Sequence, residues 1–366
     1  MERLPEMLAL RQTAGLAWLR AAPLAVVIIV VPLDIVTHSL TLWAVVAATP
    51  PLAALVNGPK VTALVALAAG VAFVLLEVVD AGRIPHHPQS ELITVSIIGL
   101  TSVIIAHLRD RVLAHLLSVA SVAEAAQRAL LPEVPKRVGR LECAAIYRAA
   151  AAKSQLGGDF FDLLDTPWGV RAVIGDVSGH GLGAVSAMAA LLGSFREGAL
   201  DDVDLNGLGA RLERRMAMRN DDHGAWNLQF ATALLMAFDP EGDSVEVRSF
   251  GHHPPLLLRD RAVEEIELDP APPLGLLGEF NTVAPATGKR LRVGDLIVAH
   301  TDGLTEARNA YGEEYPLAKR LRARAAKQGP FANAWAAANF VTDDAVAQGH
   351  VFNDDVAVIV IGVRGA

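Results

Sequence analysis

Hydrophobic residues dominate the first third of the chain in four long stretches separated by short polar segments. These stretches cover residues 16–36, 40–56, 61–79 and 92–108. A helix needs roughly 20 apolar residues to cross a bilayer core, so the third stretch fits best, and the second, which ends at Pro50 and Pro51, is borderline. The pattern predicts an all-α transmembrane bundle over residues 1–108 with four helices; longer kinked hairpins or a re-entrant segment are the alternatives.

Charges between these stretches predict the orientation of the bundle. Basic residues precede the first stretch, follow the second and follow the fourth: Arg3, Arg11, Arg20, Lys60, Arg109 and Arg111. The other two connections are mainly acidic and hold Asp34, Asp80, Glu91 and the single basic Arg83. Because cytoplasmic loops of membrane proteins are enriched in Lys and Arg, both termini are expected inside the cell. The expected location is the cell membrane, multi-pass, with the C-terminal part in the cytoplasm.

Residues 109–132 predict a linker helix between this bundle and the rest of the chain. No Gly or Pro interrupts it before Pro132, and apolar residues recur at alternating steps of four and three: Val112, Leu116, Val119, Ala123, Ala126 and Leu130. This spacing is typical of a coiled-coil seam. We interpret the segment as a signalling helix that forms a homodimer; a lone helix packed on its own domain is the alternative.

The remaining residues, 133–366, alternate between strand-like apolar runs and helical patterns. Strands are predicted over residues 141–147, 170–177, 230–238, 244–250, 291–300 and 356–363, and helices over residues 182–200, 205–219, 317–327 and 332–348. Roughly 230 residues can close one core, so one domain that combines sheets and helices is expected here. Cys143, the only cysteine, lies inside a strand and excludes a disulfide within the chain.

Composition agrees with one membrane module and one acidic soluble module. The chain has 366 residues, a mean hydropathy of +0.36 and a formal net charge of −8. Residues 1–111 carry seven basic and seven acidic side chains, so the whole net charge belongs to the remainder. An acidic soluble part disfavours nucleic-acid binding. A transporter or channel is disfavoured because only Glu77 and His107 come near the spans, both close to span ends.

Aspartates beside glycine mark the edges of several strands in the C-terminal part. They are Asp159 and Asp162 after Gly157-Gly158, Asp176 in Gly175-Asp176-Val177, Asp302 before Gly303, and Asp354-Asp355 before the last apolar run. One Asp-Gly pair is ordinary turn chemistry, but four such places in one domain are hard to explain as unrelated turns. Carboxylates and nearby backbone carbonyls are the ligands that Mg²⁺ and Mn²⁺ prefer. The sequence therefore predicts a site for hard divalent cations.

These motifs, in this order, resemble the SpoIIE-like branch of the metal-dependent (PPM, type 2C) protein serine/threonine phosphatases. The resemblance rests on residues 127–132, 147–149, 157–162, 175–181, 251–256, 273–276, 294–307, 312–313 and 353–355. It implies an α+β fold, a four-layer α-β-β-α sandwich. It also implies hydrolysis of phosphoserine or phosphothreonine on a regulatory protein, such as an anti-sigma-factor antagonist, with two divalent cations, Mn²⁺ or Mg²⁺.

The resemblance further implies roles for particular residues. Asp176 would bridge the two cations, assisted by the backbone carbonyl of Val177. Asp302 and Asp354 would complete the shell of one cation, and Asp159 would lie on the side of the other. Two such cations lower the pKa of a shared water, which would attack the phosphorus in line.

Other residues are expected to act around these ligands or elsewhere. His180 is the candidate that would protonate the leaving oxygen. The residues expected to support the ligands from behind are Asp162, Gly303 and Asp355. His252 and His253 are expected to shape a loop, since hard cations prefer oxygen ligands. The alternative function is a catalytically weak or inactive domain of the same fold that binds a partner and relays a membrane signal; the presence of all four carboxylates favours the enzyme.

Overall fold

The structure, a computed structural model, describes residues 4–37, 42–80, 88–149, 157–223, 228–276 and 284–365. The chain divides into two compact units, Met1–Ser118 and Val119–Ala366. Their boundary falls inside the predicted linker helix and not at its start. Of the residues predicted to form the site, all lie within the described ranges.

The N-terminal unit is helical, as its apolar stretches predict. Its helices are α1 (Leu4–Thr37), α2 (Trp43–Ala47), α3 (Thr49–Val56), α4 (Pro59–Asp80) and α5 (Pro88–Leu130), the last of which continues into the second unit. Among the described residues, three segments are long and apolar enough to cross a membrane: Trp18–Thr37, Pro59–Val79 and Gln89–Leu116.

The second apolar stretch does not form the single helix that its composition suggests. It forms α2 and α3, which meet at Ala48, and two prolines occupy the first turn of α3. Proline lacks the backbone N–H that a helix interior needs but is tolerated in the first turn. The prolines therefore begin a new helix here and do not end an old one.

Hydrogen bonds show that α2 and α3 together cross the unit from one end to the other. At one end, the backbone N–H of Leu42 donates to Asp34 Oδ1 near the end of α1, at 3.0 Å. At the other end, Asn57 Nδ2 donates to the carbonyl of Arg20 at 3.1 Å, and Arg109 Nη2 donates to the carbonyl of Asn57 at 2.9 Å. The four apolar segments therefore run alternately in opposite directions, and the basic residues Arg20 and Arg109 lie at the same end.

The second unit is built on two antiparallel sheets flanked by helices. Its strands are β1 (Arg137–Val138), β2 (Leu141–Arg148), β3 (Phe160–Thr166), β4 (Gly169–Val177), β5 (Ala231–Phe238), β6 (Ser244–Phe250), β7 (Leu256–Arg259), β8 (Ala262–Glu265), β9 (Thr287–Arg290), β10 (Leu296–His300) and β11 (Val356–Val363). Its helices, besides the end of α5, are α6 (Leu182–Asp201), α7 (Leu205–His223), α8 (Asp302–Thr305), α9 (Leu317–Gln328) and α10 (Ala334–Ala347). The six-stranded sheet has the order β1-β2-β11-β10-β7-β8, and the five-stranded sheet has the order β3-β4-β5-β6-β9.

Alternating side chains on the strands build three hydrophobic cores. On β5, Leu235 belongs to the core beneath α6 and α7, whereas its neighbour Met236 belongs to the core between the two sheets. On β11, Ile359 joins the core between the sheets, and Val358 joins the core beneath α9 and α10. Successive side chains of a strand point to opposite faces, so each sheet has one face toward the other sheet and one toward helices. The expected four-layer α-β-β-α sandwich is confirmed.

Several strands differ from the sequence prediction. β6 and β11 have the predicted bounds, but the predicted strand over residues 291–300 begins only at Leu296. The residues before it form a turn in which Gly294 has a φ of 92°, a conformation that favours glycine. β3 was not predicted, because Asp162 and Asp165 interrupt its apolar pattern. The short strands β1, β7, β8 and β9 were not predicted either.

The apolar seam of α5 is divided between two environments. Val112 and Leu116 are 58% and 59% exposed. Ala126 and Leu130 instead pack against the core beneath α6 and α7. The last turns of α5 therefore follow the alternative prediction, a helix packed on its own domain, whereas Val112 and Leu116 are exposed. The side chains of Val119 and Ala123 lie outside the described residues.

Candidate metal centre

Five aspartates lie at one end of the two sheets. Asp159 precedes β3, Asp176 is the penultimate residue of β4, Asp302 begins α8 two residues after the end of β10, and Asp354 and Asp355 precede β11. In an antiparallel pair, the start of one strand lies beside the end of the other. Phe160 is accordingly opposite Gly175, and Val358 is opposite His300. Two carboxylates thus come from the five-stranded sheet and three from the six-stranded sheet.

Glycines let the segments that carry these aspartates approach closely. A methyl group on Gly158 would overlap the carbonyl oxygen of Val177 and would lie 2.8 Å from Asp176 Oδ1. A methyl group on Gly157 would lie 2.7 Å from the carboxyl carbon of Asp355, which belongs to the other sheet. Gly303 meets the backbone carbonyl of Asp355 in the same way. The glycines of these motifs are needed for space, so that the ends of both sheets come together.

Burial, and after it the charge of neighbouring carboxylates, raises the pKa of several of these aspartates. Burial, followed by the charge of Asp176, raises the pKa of Asp159 well above its usual range. Burial and then the charges of Asp302 and Asp354 raise the pKa of Asp176 to about 8. Burial also raises the pKa of Asp354. Each raised pKa shows that the surroundings of the carboxyl group favour its neutral form over its ionised form.

No lysine or arginine among the described residues forms an ion pair with Asp159, Asp176, Asp302 or Asp354. The donors at this edge are carboxylate oxygens and the carbonyl oxygen of Val177, which are hard ligands. They fit a divalent cation, which would supply the missing positive charge. Within the described ranges, no three carboxyl, imidazole or thiol groups form a closed cation cage.

Thr301 ties Asp159 to the opposite sheet. Its hydroxyl donates to Asp159 Oδ2 at 2.6 Å and accepts from the backbone N–H of Ala357 at 2.9 Å. Thr301 is fully buried, and Asp159 is 3% exposed. A hydrogen bond to one carboxylate oxygen fixes the orientation of the group and leaves the other oxygen for a cation.

Asp355 is held by the end of α5 and by β2. Gln127 Nε2 donates to Asp355 Oδ2 and to the carbonyl of Gly157, both at 3.1 Å. The hydroxyl of Tyr147 also donates to Asp355 Oδ2. Gln127 is 2% exposed and Asp355 is 3% exposed, so this cluster is protected from water. The last turns of α5 are therefore in direct contact with the segment that precedes Asp159.

Two of the predicted site residues have other surroundings. Asp162 accepts from Arg196 Nε at 2.6 Å and from the backbone N–H of Leu163 at 2.8 Å. Arg196 in turn donates to the carbonyl of Leu130 at 3.2 Å. Asp162 therefore anchors the end of α5, and its carboxylate is not bonded to a residue of the metal centre. His180 lies in the loop after β4 with an exposed side chain, and no described residue hydrogen-bonds to its ring.

The structure adds Thr301, Gln127 and Tyr147 to the residues expected from the sequence. Gln127 and Tyr147 lie in segments that carry the family resemblance, but neither has a strand-edge pattern that indicates a role. The position of Thr301 beside Asp302 could have indicated a role at the site. However, Asp159, to which Thr301 donates, is 142 residues away in the sequence. Such long-range partners depend on strand order, which hydrophobic periodicity does not reveal.

Comparison with known proteins agrees with the fold. The family described as Stage II sporulation protein E (SpoIIE) matches residues 166–364, more than half of the chain. The SiaA-PP2C domain of Pseudomonas aeruginosa is 17% identical with a TM-score of 0.54, over 71% of this chain and 99% of that one. The PP2C phosphatase domain and regulatory fragment of SpoIIE from Bacillus subtilis is 18% identical with a TM-score of 0.51, over 61% of this chain. This chain spans 63% of that SpoIIE structure's length.

Replacing Gly158 tests the close approach at the metal centre. Gly158→Ala should abolish tight Mn²⁺ binding, because its methyl group would displace the backbone at Val177 and the carboxylate of Asp176. The measurement is Mn²⁺ binding by electron paramagnetic resonance on the full chain. Gly193→Ala is the matched control, since a methyl group there meets no atom within 4 Å. Wild-type affinity in Gly158→Ala would show that these segments do not form a cation site.

Proposed function

Because this chain belongs to the SpoIIE family and has the fold of PP2C phosphatase domains, we propose that it is a membrane-anchored protein serine/threonine phosphatase. The proposed reaction is hydrolysis of phosphoserine or phosphothreonine on a regulatory phosphoprotein. The observation that carries this proposal is the meeting of Asp159, Asp176, Asp302 and Asp354 from two sheets, with no ion pair to a basic side chain among the residues that the structure describes. An anti-sigma-factor antagonist is the proposed substrate class, and it rests on the family resemblance.

In this proposal, four aspartates would bind the cations and Thr301 would orient one of them. Asp176, with the Val177 carbonyl, would hold both cations, Mn²⁺ or Mg²⁺. Asp302 and Asp354 would complete one shell, and Asp159 would serve the other. When bound, the cations would offset charge on the phosphoryl group and lower the pKa of the attacking water. Thr301 would keep Asp159 oriented.

His180 is proposed to protonate the leaving serine or threonine oxygen. Its exposed side chain lies three residues after Val177, in the loop that leaves the metal edge of β4. A general acid has to reach the leaving oxygen of a bound substrate. An exposed position beside the ligands is compatible with that requirement, whereas Asp162, which is bonded to Arg196, has no such freedom.

One observation favours the alternative function. The carboxylates do not form a closed cation cage among the described residues, as expected for a catalytically weak or inactive domain that relays a membrane signal through protein binding. The enzyme remains the better proposal, because an inactive domain would have no reason to keep four uncompensated carboxylates together. Their mutual repulsion costs stability that a bound cation would restore.

Asp302→Asn tests the enzyme directly. The substitution keeps the shape of the side chain and removes one ligand charge, so hydrolysis of a phosphoserine peptide should fall by roughly 10³-fold or more. Activity should require Mn²⁺ and disappear with EDTA. Asp269→Asn, the same change at an exposed position, should leave the rate unchanged. If Asp302→Asn hydrolysed the peptide at the wild-type rate, the metal assignment would be wrong.

Membrane anchoring is proposed from the helical unit. Three helices have the length and composition of spans, and α2 with α3 crosses the same unit between them. This arrangement amounts to four crossings with Arg20 and Arg109 at one end. The positive-inside rule places that end in the cytoplasm. The phosphatase domain would then lie in the cytoplasm, with its phosphoprotein substrate.

Reporter fusions distinguish four crossings from three. With four, an alkaline-phosphatase fusion after Asp80 should be active outside the cytoplasm, and a fusion after Val112 should be inactive. If α2 and α3 did not cross the membrane, the two results would be exchanged. With one crossing fewer, every later segment of the chain would lie on the opposite side of the membrane. The matched pair therefore serves as its own control. An active fusion after Val112 would exclude a cytoplasmic phosphatase domain.

A homodimer through α5 is proposed as the means of control. Val112 and Leu116 form an exposed apolar surface on one helix face, after the charged residues 109–111 and at the end of the apolar segment Gln89–Leu116. Burying that surface against a second copy would be favourable. The other end of α5 bears Gln127, which contacts Asp355 and Gly157. Association could thereby alter the metal centre without a flexible linker.

Cysteine cross-linking in membranes tests the dimer. Leu116→Cys should form a disulfide-linked dimer on oxidation, because equivalent seam positions of two helices would face each other. Ala114→Cys, two residues away on the opposite face of the helix, should not. The natural Cys143 is buried and should contribute no background. If neither Leu116→Cys nor Val112→Cys cross-links, α5 is only a tether.

A further inference from the structure

His252 occupies a buried position between the two sheets. It lies in the turn between β6 and β7, where Gly251 adopts a φ of 66° and turns the chain inward. Ser249 Oγ accepts from the His252 N–H at 3.0 Å and donates to the His252 carbonyl at 2.7 Å. His252 as a whole residue is 8% exposed. This turn is built to place an imidazole inside the domain, which is more than the loop-shaping role expected from the sequence.

The hydrogen bonds of the ring define its tautomer. His252 Nε2 lies 3.0 Å from the carbonyl oxygen of His300, and a carbonyl can only accept, so Nε2 carries a proton. Burial, followed by the charges of His300 and His253, lowers the pKa of His252 to about 3, so the ring is neutral. Nδ1 is therefore an acceptor, and the hydroxyl of Thr232 donates to it at 3.0 Å.

The same hydroxyl continues the chain to a metal ligand. Thr232 Oγ1 accepts from the backbone N–H of Asp176 at 3.3 Å. One directional path therefore runs from the Asp176 N–H through the Thr232 hydroxyl to the His252 ring and ends at the His300 carbonyl. Asp176 and Thr232 belong to the five-stranded sheet, whereas His300 ends β10 in the six-stranded sheet. The path connects the two sheets at the edge that bears the carboxylates.

We propose that His252 is a positioning residue that sets the separation between Asp176 and Asp302 by bridging Thr232 of one sheet to His300 of the other. The proposal rests on the proposed function, since it assigns His252 to the same cation site. Asp176 is adjacent to the first end of the bridge, and Asp302 follows His300 by two residues. Carboxylates that repel each other across a sheet interface tend to move apart, and a bridge with both hydrogen bonds satisfied opposes that movement.

The bridge is expected to act on cation affinity more than on folding. The core between the sheets already packs a large set of buried side chains, so the loss of one hydrogen bond leaves most of the folding energy in place. Partners that orient metal ligands are different, because their removal typically weakens binding or activity by roughly 10- to 100-fold. A residue that only fills space would not show this selectivity.

Thr232→Val tests the bridge with a nearly isosteric change. It removes the hydroxyl that joins Asp176 to His252, and the Mn²⁺ dissociation constant of the full chain should rise by roughly 10- to 100-fold. Thr232→Ser restores a hydroxyl and should bind within about threefold of wild type. Thr342→Val is the matched control. Thr342 is buried, and its hydroxyl donates to the backbone carbonyl of Asn339 at 3.3 Å, but it lies on α10 and is not part of the path. Electron paramagnetic resonance measures binding independently of activity.

A second variant tests whether Thr232 and His252 act as one path. In His252→Leu the ring nitrogens that accept from Thr232 and donate to the His300 carbonyl are both lost, so the path is interrupted as it is in Thr232→Val. The double variant Thr232→Val with His252→Leu should therefore bind Mn²⁺ no more weakly than the poorer single variant, because each change alone already breaks the path. Thermal unfolding measured without metal should shift similarly in Thr232→Val and Thr342→Val.

The outcomes separate this inference from the proposed function. If wild type binds Mn²⁺ and Thr232→Val binds it equally well, the bridge is not a positioning device and the phosphatase proposal stands. Equal weakening in Thr232→Val and Thr342→Val, or independent additive losses in the double variant, would also overturn the bridge. If wild type itself binds no Mn²⁺ and hydrolyses no phosphoserine peptide, the metal centre is wrong and the bridge is rejected with it.

Discussion

Electrostatic repulsion at the edge of two sheets is the constraint on which the rest of the phosphatase domain depends. Two unit charges 4 Å apart repel by about 4 kcal/mol at the effective dielectric of a protein surface. The charges of three other aspartates act on Asp176: Asp302, Asp354 and Asp355. The whole stability of a domain is only about 5–15 kcal/mol, so such a cluster needs a rigid frame, and the cation proposed for this site would compensate its charge.

The four-layer sandwich supplies this frame from two directions. Each sheet is covered on both faces, so strands such as β11 are buried at every position. Glycines at 157, 158 and 303 then allow backbone to meet backbone at the open edge. Thr301, which follows β10 of the six-stranded sheet, donates a hydrogen bond to Asp159 beside the five-stranded sheet. His252, which follows β6 of the five-stranded sheet, donates one to the carbonyl of His300 in the six-stranded sheet. Rigid packing brings the carboxylates near, and hydrogen bonds decide how they are oriented.

The sequence contained much of this information, but unevenly. The apolar run Val356–Val363 identified a central strand, because burial on both faces leaves a strong pattern. The alternation of apolar and polar residues in Ser244–Phe250 identified another strand. The carboxylates themselves were found from their position beside glycine. What periodicity could not supply was strand order, and with it every partner that joins distant segments. Asp162 was therefore grouped with the metal centre although its carboxylate holds Arg196.

Prediction of the helices was incomplete where one apolar pattern continues through two environments. The second apolar stretch is long enough for a single helix on hydropathy, yet prolines divide it at Ala48. The repeat along α5 is regular in sequence, but Ala126 and Leu130 face the domain core while Val112 and Leu116 face outward. Apolar spacing shows that a face will be buried and does not show against what.

The division of α5 suggests how much energy control of the site would require. Gln127 makes two hydrogen bonds at the metal edge, and each is worth about 0.5–1.5 kcal/mol net. Coupling energies between sites are typically about 1–3 kcal/mol. Losing or gaining the Gln127 contacts would therefore change cation affinity over a regulatory range without unfolding the domain. A much stronger interaction could be broken only by unfolding the domain. A flexible linker in place of α5 would not couple the membrane helices to the site. A helix that ends in one buried glutamine lies between these extremes.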